Sequence, residues 1–330
     1  MIRLPDGAYR LASLSESLRL EVPEGSEPLV DAVMPLLERG ATASQLKRAA
    51  GRGNGAKVDE LLAGLERSGM LEPDTGTGGD GHDAARDQLR FFANFRALGV
   101  APAVAEAAPT GLEMQERLSR ARVARVGLGA AGSRLEEELA ACGVGSLVRV
   151  DAGELSAGAG AWPGELAQAD IVVLCEDRFD PETYRRVNEA CLERRTIWTS
   201  FRDLGSRFEI GPTVIPYESA CWRCYALRRA SNDDDHELWT ETASALAADG
   251  RSLGSLNARP GPSLLAVEVV KLLTGFSRPI SRGALLSFDL LRFEARVHPV
   301  LKIPRCAACG AAARGQAPWR IWRLEPPAPT

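Results

Sequence analysis

The sequence predicts an α/β protein of two domains, a small unit of short strands and three helices followed by a larger unit with a parallel sheet. Three observations predict this fold class. Apolar residues recur at helical spacing in three stretches before residue 69, a breaker-rich stretch occupies residues 72–83, and a strand, glycine loop, helix and second strand begin near residue 122. With 330 residues and 45% hydrophobic content, the chain is long enough for two folded cores.

The first domain is assigned to residues 1–73. Two short strands are predicted near Tyr9–Leu11 and Leu18–Val22. Three helices follow, the first at about 27–39, the second beginning at about Ser44 and the third at about 56–68, and a last strand is predicted at Met70–Leu71. Strands, three helices and a further strand in this order are typical of a winged helix-turn-helix domain.

The rest of the chain divides where its composition changes. We predict a linker with connecting helices at 74–118, the second domain at 119–324 and a disordered tail, EPPAPT, at 325–330. The N-terminus lacks the apolar core of a signal peptide, and no apolar run reaches the roughly 20 residues that cross a bilayer. We therefore expect a cytoplasmic protein without a membrane partner.

The second domain opens on a glycine loop, RVGLGAAGS, at residues 125–133. Gly127, Gly129 and Gly132 have the G-x-G-x-x-G spacing, a predicted strand precedes them, a helix follows, and Asp151 ends the next strand. This pattern predicts the mononucleotide-binding half of a Rossmann-type sheet. We predict further strands at IVVLC and TIWTS, with a helix beginning at Asp180–Pro181 between them. The segment RFEIGPTVIP, a long polar loop, a helix at 262–275 and an antiparallel pair (GALLSFD, RFEARVHPV) follow.

Two C-x-x-C pairs are the strongest chemical signal in the chain. Cys221 and Cys224 are followed about 80 residues later by Cys306 and Cys309. Together the two pairs supply four thiolates, which are the donor set of a structural, tetrahedral zinc. The alternative is a pair of redox-active dithiols, although neither motif opens a helix beside a thioredoxin-like strand. We interpret the three remaining cysteines, Cys142, Cys175 and Cys191, as small buried residues.

Residues of about 115–310 resemble the ThiF/MoeB-like, ubiquitin-activating-enzyme superfamily. The resemblance is carried, in order, by QERLSRARVARVGLGAAGS, ACGVGSLVRVD, CEDRFDPETYRRVNEAC, CWRC, EVVKLLTG, LLSFD and PRCAACG. It implies that the three loop glycines and Asp151 are placed where active members hold ATP, and that Asp177 matches their Mg-binding aspartate. It also implies a possible homodimer.

One segment departs from the superfamily pattern. After Asp151, active members carry a basic pair that neutralises the phosphates, whereas residues 152–170 here contain no Lys or Arg in nineteen positions. The loss of such positioned cations typically costs several kcal/mol of barrier. We therefore expect a degenerate activating-enzyme domain that does not use ATP, in which the glycines, Asp151 and Asp177 are a vestigial nucleotide site. The intact loop keeps one alternative open, an active ATP-dependent adenylating enzyme acting on a peptide or carrier C-terminus.

The first domain resembles the PqqD-like recognition element of ribosomal peptide-modifying systems, on its element order and on LLERGATASQLKRAA followed by VDELLAGLERSGML. The resemblance implies that a leader peptide adds a strand beside the third helix. The predicted peptide-binding residues are Leu18, Arg19, Leu20, Glu21, Val22, Lys57 and Leu61. DNA binding is the other use of a winged helix, but residues 1–73 carry nine basic against eleven acidic residues, and the net charge of the chain is -4.

Together, the two resemblances identify the chain as similar to the leader-binding, ThiF-like partner proteins of thiazole/oxazole peptide biosynthesis. They imply a non-catalytic component that binds a precursor's leader peptide and presents its core to a separate YcaO cyclodehydratase. We expect a structural zinc as cofactor, no ATP, and no nucleic acid as partner.

Overall fold

A computed structural model describes residues 2–5, 8–12, 17–23, 25–67, 70–71, 91–92, 111–127, 129–152, 168–177, 179–232 and 256–310. The chain forms two compact units, Met1–Arg117 with Thr274–Arg278, and Leu118–Leu273 with Pro279–Thr330. The breaker-rich stretch at 72–83, most of the predicted connecting helices, most of the segment at 152–170 and the tail at 325–330 lie outside the described residues.

The first unit contains a small antiparallel sheet and three consecutive helices. Its elements are β1 (Ile2–Arg3), β2 (Tyr9–Ala12), β3 (Ser17–Leu20), α1 (Glu27–Arg39), α2 (Ala43–Ala49) and α3 (Gly55–Arg67), and the strands lie in the order β1-β2-β3. The three helices agree with the prediction to within about two residues. Gly40 follows α1 with a φ of 81°, and Thr42 with Gln45 forms a capping box at the start of α2.

One predicted element of the first unit is wrong and one was missed. Met70 and Leu71 are not part of a strand; the Met70 N–H donates to the Leu65 carbonyl at 2.9 Å, and both side chains pack on the core of the unit. The missed element is β1, whose two residues pair with β2. Two residues are too few for an alternating pattern to indicate a strand.

The second unit is built around a seven-stranded sheet in the order β10-β9-β8-β7-β6-β4-β5. Helix α4 (Gly111–Arg120) leads into it. Its further elements are β4 (Arg122–Val126), α5 (Ala130–Ala141), β5 (Ser146–Val150), β6 (Ile171–Cys175), α6 (Pro181–Arg194), β7 (Ile197–Asp203), β8 (Arg207–Ile210), α7 (Trp222–Ala230), α8 (Pro260–Thr274), β9 (Ala284–Asp289) and β10 (Glu294–Pro299). A short 3-10 helix spans Leu256–Ala258.

Strands β5, β4, β6 and β7 are parallel, whereas β8, β9 and β10 are antiparallel to their neighbours. All five residues of β6 are buried, as expected for a central strand covered on both faces. The predicted α/β class with a parallel sheet is therefore confirmed. The carboxyl ends of the parallel strands lead directly into Gly127, Asp151 and Glu176, so this edge of the sheet positions the predicted nucleotide site. Among the described helices, none combines the length and the apolar composition needed to cross a bilayer.

Candidate functional site

The two cysteine pairs meet in the second unit. All four sulfurs are buried and lie within 4.8 Å of one another. The separations are 3.9 Å between Cys221 and Cys224, 3.8 Å between Cys221 and Cys306, and 3.6 Å between Cys224 and Cys309. Four thiolates about 2.3 Å from one tetrahedral ion lie about 3.8 Å apart, whereas a disulfide needs about 2.05 Å. These four residues could therefore hold a metal ion, and their spacing fits tetrahedral coordination.

Backbone geometry holds both cysteine pairs in place. Cys221 is the N-cap of α7, and the Trp222 N–H donates to the Asn188 side chain of α6 at 2.9 Å. On the other side, the Gly310 N–H donates to the Cys306 carbonyl at 2.7 Å, and a Cβ at position 310 would overlap that carbonyl. The knuckle that presents Cys306 and Cys309 therefore requires a glycine directly after it.

The environment of the cluster already favours an ionised sulfur. Hydrogen bonds with the thiols of Cys221 and Cys309 hold the pKa of Cys224 well below its usual value, and the Ile303 N–H points at the same sulfur from 3.4 Å. By contrast, burial raises the pKa of Cys175 and of Cys191, which keeps these thiols protonated and unreactive.

The glycine loop joins β4 to α5 and closes around a carboxylate of the chain itself. Gly127 and Gly129 have φ angles of 102° and 114°, which side chains rarely adopt. A Cβ on Gly129 would overlap the Asp177 carboxylate. That carboxylate accepts hydrogen bonds from the N–H groups of Ala130 and Ala131, both at 2.9 Å. The first amides of α5, where a bound phosphate would be recognised, thus have an internal anion as their partner.

The third glycine of the motif serves packing beneath the loop. A Cβ on Gly132 would overlap the guanidinium of Arg125, which is buried in β4 and donates to the Gly127 carbonyl. Arg125 also donates to Glu136 of α5 at 2.6 Å, and the exposed Arg149 of β5 donates to the other oxygen of Glu136 at 2.7 Å. Burial raises the pKa of Glu136, but the hydrogen bonds from Arg149 and Arg125 outweigh it, and the pKa is lower than usual. The structure therefore ties the loop to the sheet through an Arg–Glu–Arg network that sequence reasoning missed.

Asp151 is exposed at the end of β5, where the preceding Val150 carbonyl accepts the Gly127 N–H at 3.0 Å. The predicted vestigial residues Gly127, Gly129, Gly132, Asp151 and Asp177 therefore belong to the same edge of the sheet. Arg178, which follows Asp177, lies outside the described residues.

A groove of about 540 Å³ lies in the first unit between the end of β3 and one face of α3. Six of the seven predicted peptide-binding residues line it, namely Arg19, Leu20, Glu21, Val22, Lys57 and Leu61. The seventh, Leu18, is paired with Leu11 within the sheet. Among the described residues, β3 pairs with β2 alone, so the groove borders an open strand edge.

The groove combines an apolar floor with a charged rim. Leu29, Val30 and Leu65 are buried, and they join Leu20, Val22 and Leu61 in the floor. The rim carries Arg19, Glu21, Lys57 and Glu60, of which Arg19 and Glu21 form an exposed ion pair at 3.6 Å. Sequence reasoning missed Glu60, Gly64 and Leu65, although they follow Lys57 and Leu61 at helical spacing and could have been found by that signal.

With this geometry in place, comparisons with known proteins locate the family. Residues 162–310, which include Asp177 and both cysteine pairs, match the profile of the ThiF family. This segment of the chain is therefore similar to ThiF-family proteins. The predicted ThiF-like character is therefore confirmed.

The curated relatives of the chain include the adenylyltransferase and sulfurtransferase MOCS3 of Bos taurus, which is 33% identical over 244 residues, covering 61% of this chain and 50% of the relative. Protein HesA of Leptolyngbya boryana is 27% identical over 151 residues, covering 46% of this chain and 47% of the relative. The chain thus spans about half the length of the curated relatives it matches.

Among solved structures, the heterocyclase TruD superposes with a TM-score of 0.66 and 19% identity, over 91% of this chain and 40% of the TruD chain. At these identities the likeness concerns the fold, and it extends over both units of the chain.

Proposed function

We propose that this chain captures the leader peptide of a ribosomally made precursor and presents the core of that peptide to a separate YcaO cyclodehydratase. The cyclodehydratase converts Cys, Ser or Thr residues to thiazolines and oxazolines, and the present chain is non-catalytic. The observation that carries the proposal is the groove between β3 and α3, because six of the seven residues predicted for peptide binding line this one feature.

The groove has the chemistry that an extended peptide requires. The open edge of β3 can add a strand through main-chain hydrogen bonds, and the floor of Leu20, Val22, Leu29, Val30, Leu61 and Leu65 can receive every second side chain of that strand. Lys57 and Glu60 at the rim can then select for charge. In this proposal the first unit is a winged-helix recognition domain, and its α3 binds peptide instead of DNA.

The glycine loop supports a non-catalytic role. The Asp177 carboxylate already satisfies the N–H groups of Ala130 and Ala131, which a nucleotide phosphate would otherwise occupy. Arg125 also lies under the loop as part of an internal ion network and is unavailable to a phosphate. We infer that the loop now fixes α5 against the sheet.

The metal in this proposal is zinc, with Cys221, Cys224, Cys306 and Cys309 as its ligands. Four thiolates leave no open coordination position, so the ion would be structural and would join α7 to the residues after β10. Two structural neighbours, the heterocyclase TruD and the microcin C7 biosynthetic enzyme MccB in complex with N-formylated MccA, favour a place for this chain in peptide modification.

The test is a fluorescence-polarisation titration of the full chain with the labelled N-terminal leader of a candidate precursor peptide. We expect saturable binding, and we expect Leu61→Ala to weaken it about five- to ten-fold, because the substitution removes a floor side chain worth about 1 kcal/mol. Lys57→Glu should also shift the affinity. Binding that is unchanged in Leu61→Ala, or in a chain that lacks residues 1–73, would refute the proposal.

Two matched controls separate the groove from general damage to the domain. Leu62→Ala truncates the neighbouring, partly buried leucine of α3, which packs on the core and does not line the groove. Lys47→Glu reverses a partly exposed lysine of α2 that is paired with Asp59 at 2.7 Å. Both variants should bind the leader with the affinity of the unmodified chain at a temperature where they are folded.

A further inference from the structure

The surface around the two cysteine pairs is basic, although the chain as a whole has a net charge of -4. Residues 219–232 and 295–310 include the four cysteines, and they contain six Lys or Arg residues but no Asp or Glu. Both segments belong to the second unit. A local charge opposite in sign to the net charge of the chain is typical of a surface that recognises a partner of complementary charge.

Five cations at this surface have no carboxylate partner in the part of the chain that the structure describes. Other exposed arginines of the second unit differ in this respect, since Arg134 on α5 and Arg185 on α6 are each ion-paired with two glutamates of their own helix. The five residues, which we call the knuckle cations, are Arg195, Arg223, Arg228, Lys302 and Arg305. Three of them are exposed, and Arg228 and Lys302 are half-buried.

Contacts with backbone and aromatic groups hold three of the knuckle cations around one segment, Leu301–Lys302. Arg228 Nε donates to the Leu301 carbonyl at 2.5 Å, and the Lys302 ammonium group donates to the Tyr217 carbonyl. The Arg195 guanidinium lies over the Tyr217 ring, 5.5 Å from its centroid. These contacts fix the positions of the three cations but leave their charge without a counter-ion.

The other two knuckle cations flank the cysteine cluster. Arg223 lies between Cys221 and Cys224, and Arg305 directly precedes Cys306. Four thiolates around a divalent ion have a net charge of about -2, which would attract cations. Among the described residues, however, no guanidinium or ammonium group donates to a sulfur of the cluster, and the N–H that points at Cys224 belongs to the backbone. Five cations also exceed what this charge requires.

Two large apolar side chains are exposed among the knuckle cations. Leu227 on α7 is 45% exposed and follows Arg223 by four residues, which places both on one face of the helix. Leu301 is 65% exposed, and its carbonyl accepts the bond from Arg228. A partner that fits this surface therefore carries acidic and apolar side chains together.

We propose that the knuckle cations, together with Leu227 and Leu301, dock an acidic, amphipathic segment of a partner protein. A nucleic acid would use the same cations, but exposed leucines do not bind a phosphate backbone. Tyr217 is half-buried, and the Arg195 guanidinium already lies over its ring, where a base would stack. The proposal rests on the proposed function only in identifying the partner as the cyclodehydratase.

The experiment is a fluorescence-polarisation titration of the full chain with a short labelled peptide of Glu and Leu at helical spacing. The helical spacing avoids the alternating pattern that would suit the open edge of β3. We expect saturable binding that weakens with added salt, and weaker binding of a peptide with Ser in place of Leu. A peptide with Lys in place of Glu should not bind.

Charge variants locate the binding site. Arg223→Glu and Arg305→Glu should each weaken binding about five-fold or more, because each replaces an attraction with a repulsion. Arg134→Glu, which reverses an exposed but ion-paired arginine on α5, is the matched control and should bind like the unmodified chain. Arg223→Gln and Arg305→Gln test the same charges with less disturbance of the cysteine pairs. Unchanged metal content and Tm in these variants would show that the cluster is intact.

The proposal is overturned if the unmodified chain does not bind the acidic peptide, or if the variants of Arg223 and Arg305 bind it as tightly. It is also overturned if a single-stranded RNA of similar length binds more tightly than the peptide. The chain has its own acidic run at Asp233–Asp235, outside the described residues. Binding that appears only after these aspartates are changed to asparagine would assign the surface to that run instead of a partner. The leader titration reports on the first unit and this one on the second, so each can fail without the other.

Discussion

Asp177 caps the helix that begins at Ala130: its two carboxylate oxygens accept the N–H groups of Ala130 and Ala131, each at 2.9 Å. The cap comes from the end of β6, 46 residues from Ala131. Since the positive end of a helix dipole favours an anion, this carboxylate serves α5 as a phosphate would. The contact joins β6 to α5 and gives the G-x-G-x-x-G loop an internal anion as its partner.

Replacing Asp177 with alanine should destabilise the chain by about 1–2 kcal/mol, because two helix-terminal N–H groups lose their partner. Urea denaturation measures the loss. Inorganic phosphate should recover part of this stability in Asp177→Ala and have less effect on the unmodified chain, since the anion can then reach the freed amides. Equal stability of the two proteins would contradict the capping role.

Gly129→Ala should destabilise the chain by more than 1 kcal/mol, because it adds a Cβ at a φ of 114° and overlaps the Asp177 carboxylate. Gly205→Ala is the matched control, since Gly205 also has a positive φ, 85°, but no atom lies within 4 Å of its added Cβ. Thermal unfolding of both variants should show a larger loss of stability in Gly129→Ala, because only that variant adds a steric overlap with Asp177 to the strain of a positive φ. Leader affinity should be unchanged in both, and a specific loss of binding in Gly129→Ala would contradict a purely structural loop.

Local sequence signals predicted the elements whose ends are marked by helix-terminating or turn-forming residues. Helix α1 matches its prediction because an apolar stripe ends at Gly40, which adopts a positive φ. The meeting of Cys221 and Cys224 with Cys306 and Cys309 was predictable for a similar reason, since C-x-x-C knuckles have few uses in a reduced protein.

Long-range polar contacts could not be predicted in this way. Glu136 belongs to an amphipathic helix with several glutamates, and nothing local distinguishes the one that is buried against Arg125. The superfamily pattern matched Asp177 to the Mg-binding aspartate of active members and predicted a vestigial nucleotide site, but it did not predict the hydrogen bonds from the amides of Ala130 and Ala131. Both outcomes depend on how β4, β6 and α5 pack together, which short-range periodicity does not specify.

Glu136→Gln should destabilise the chain by about 3–5 kcal/mol at neutral pH, because it leaves the buried Arg125 without a counter-charge. The pKa of Glu136 in the folded chain is below its usual value of 4.5, so its ionised form contributes stability that is fully present above pH 4.5. That contribution is lost as the pH falls through the lowered pKa. The difference between the unmodified chain and the variant should therefore shrink below pH 4.5, as measured by urea denaturation across pH.

Arg149→Gln is the control for the same network. The Arg149 side chain is 74% exposed, so the loss of its bond to Glu136 should destabilise the chain much less than Glu136→Gln does. If Arg149→Gln lowered the free energy of unfolding as much as Glu136→Gln does, the uncompensated charge of the buried Arg125 would not explain the destabilisation by Glu136→Gln.

Elemental analysis of the purified chain should give about one zinc per chain, held by Cys221, Cys224, Cys306 and Cys309. Cys221→Ser and Cys306→Ser should each reduce the zinc content, because a structural site needs all four thiolates. The loss should lower the Tm by about 10 °C or more, since each kcal/mol corresponds to about 2–4 °C in a domain of this size.

Cys191→Ala alters a buried cysteine outside the cluster and should retain the metal. A chelator should lower the Tm of the unmodified chain and of Cys191→Ala, but have little further effect on Cys221→Ser. A chain that contains no metal and has the same Tm with and without chelator would contradict the assignment, because the four buried thiols would then be stable without an ion.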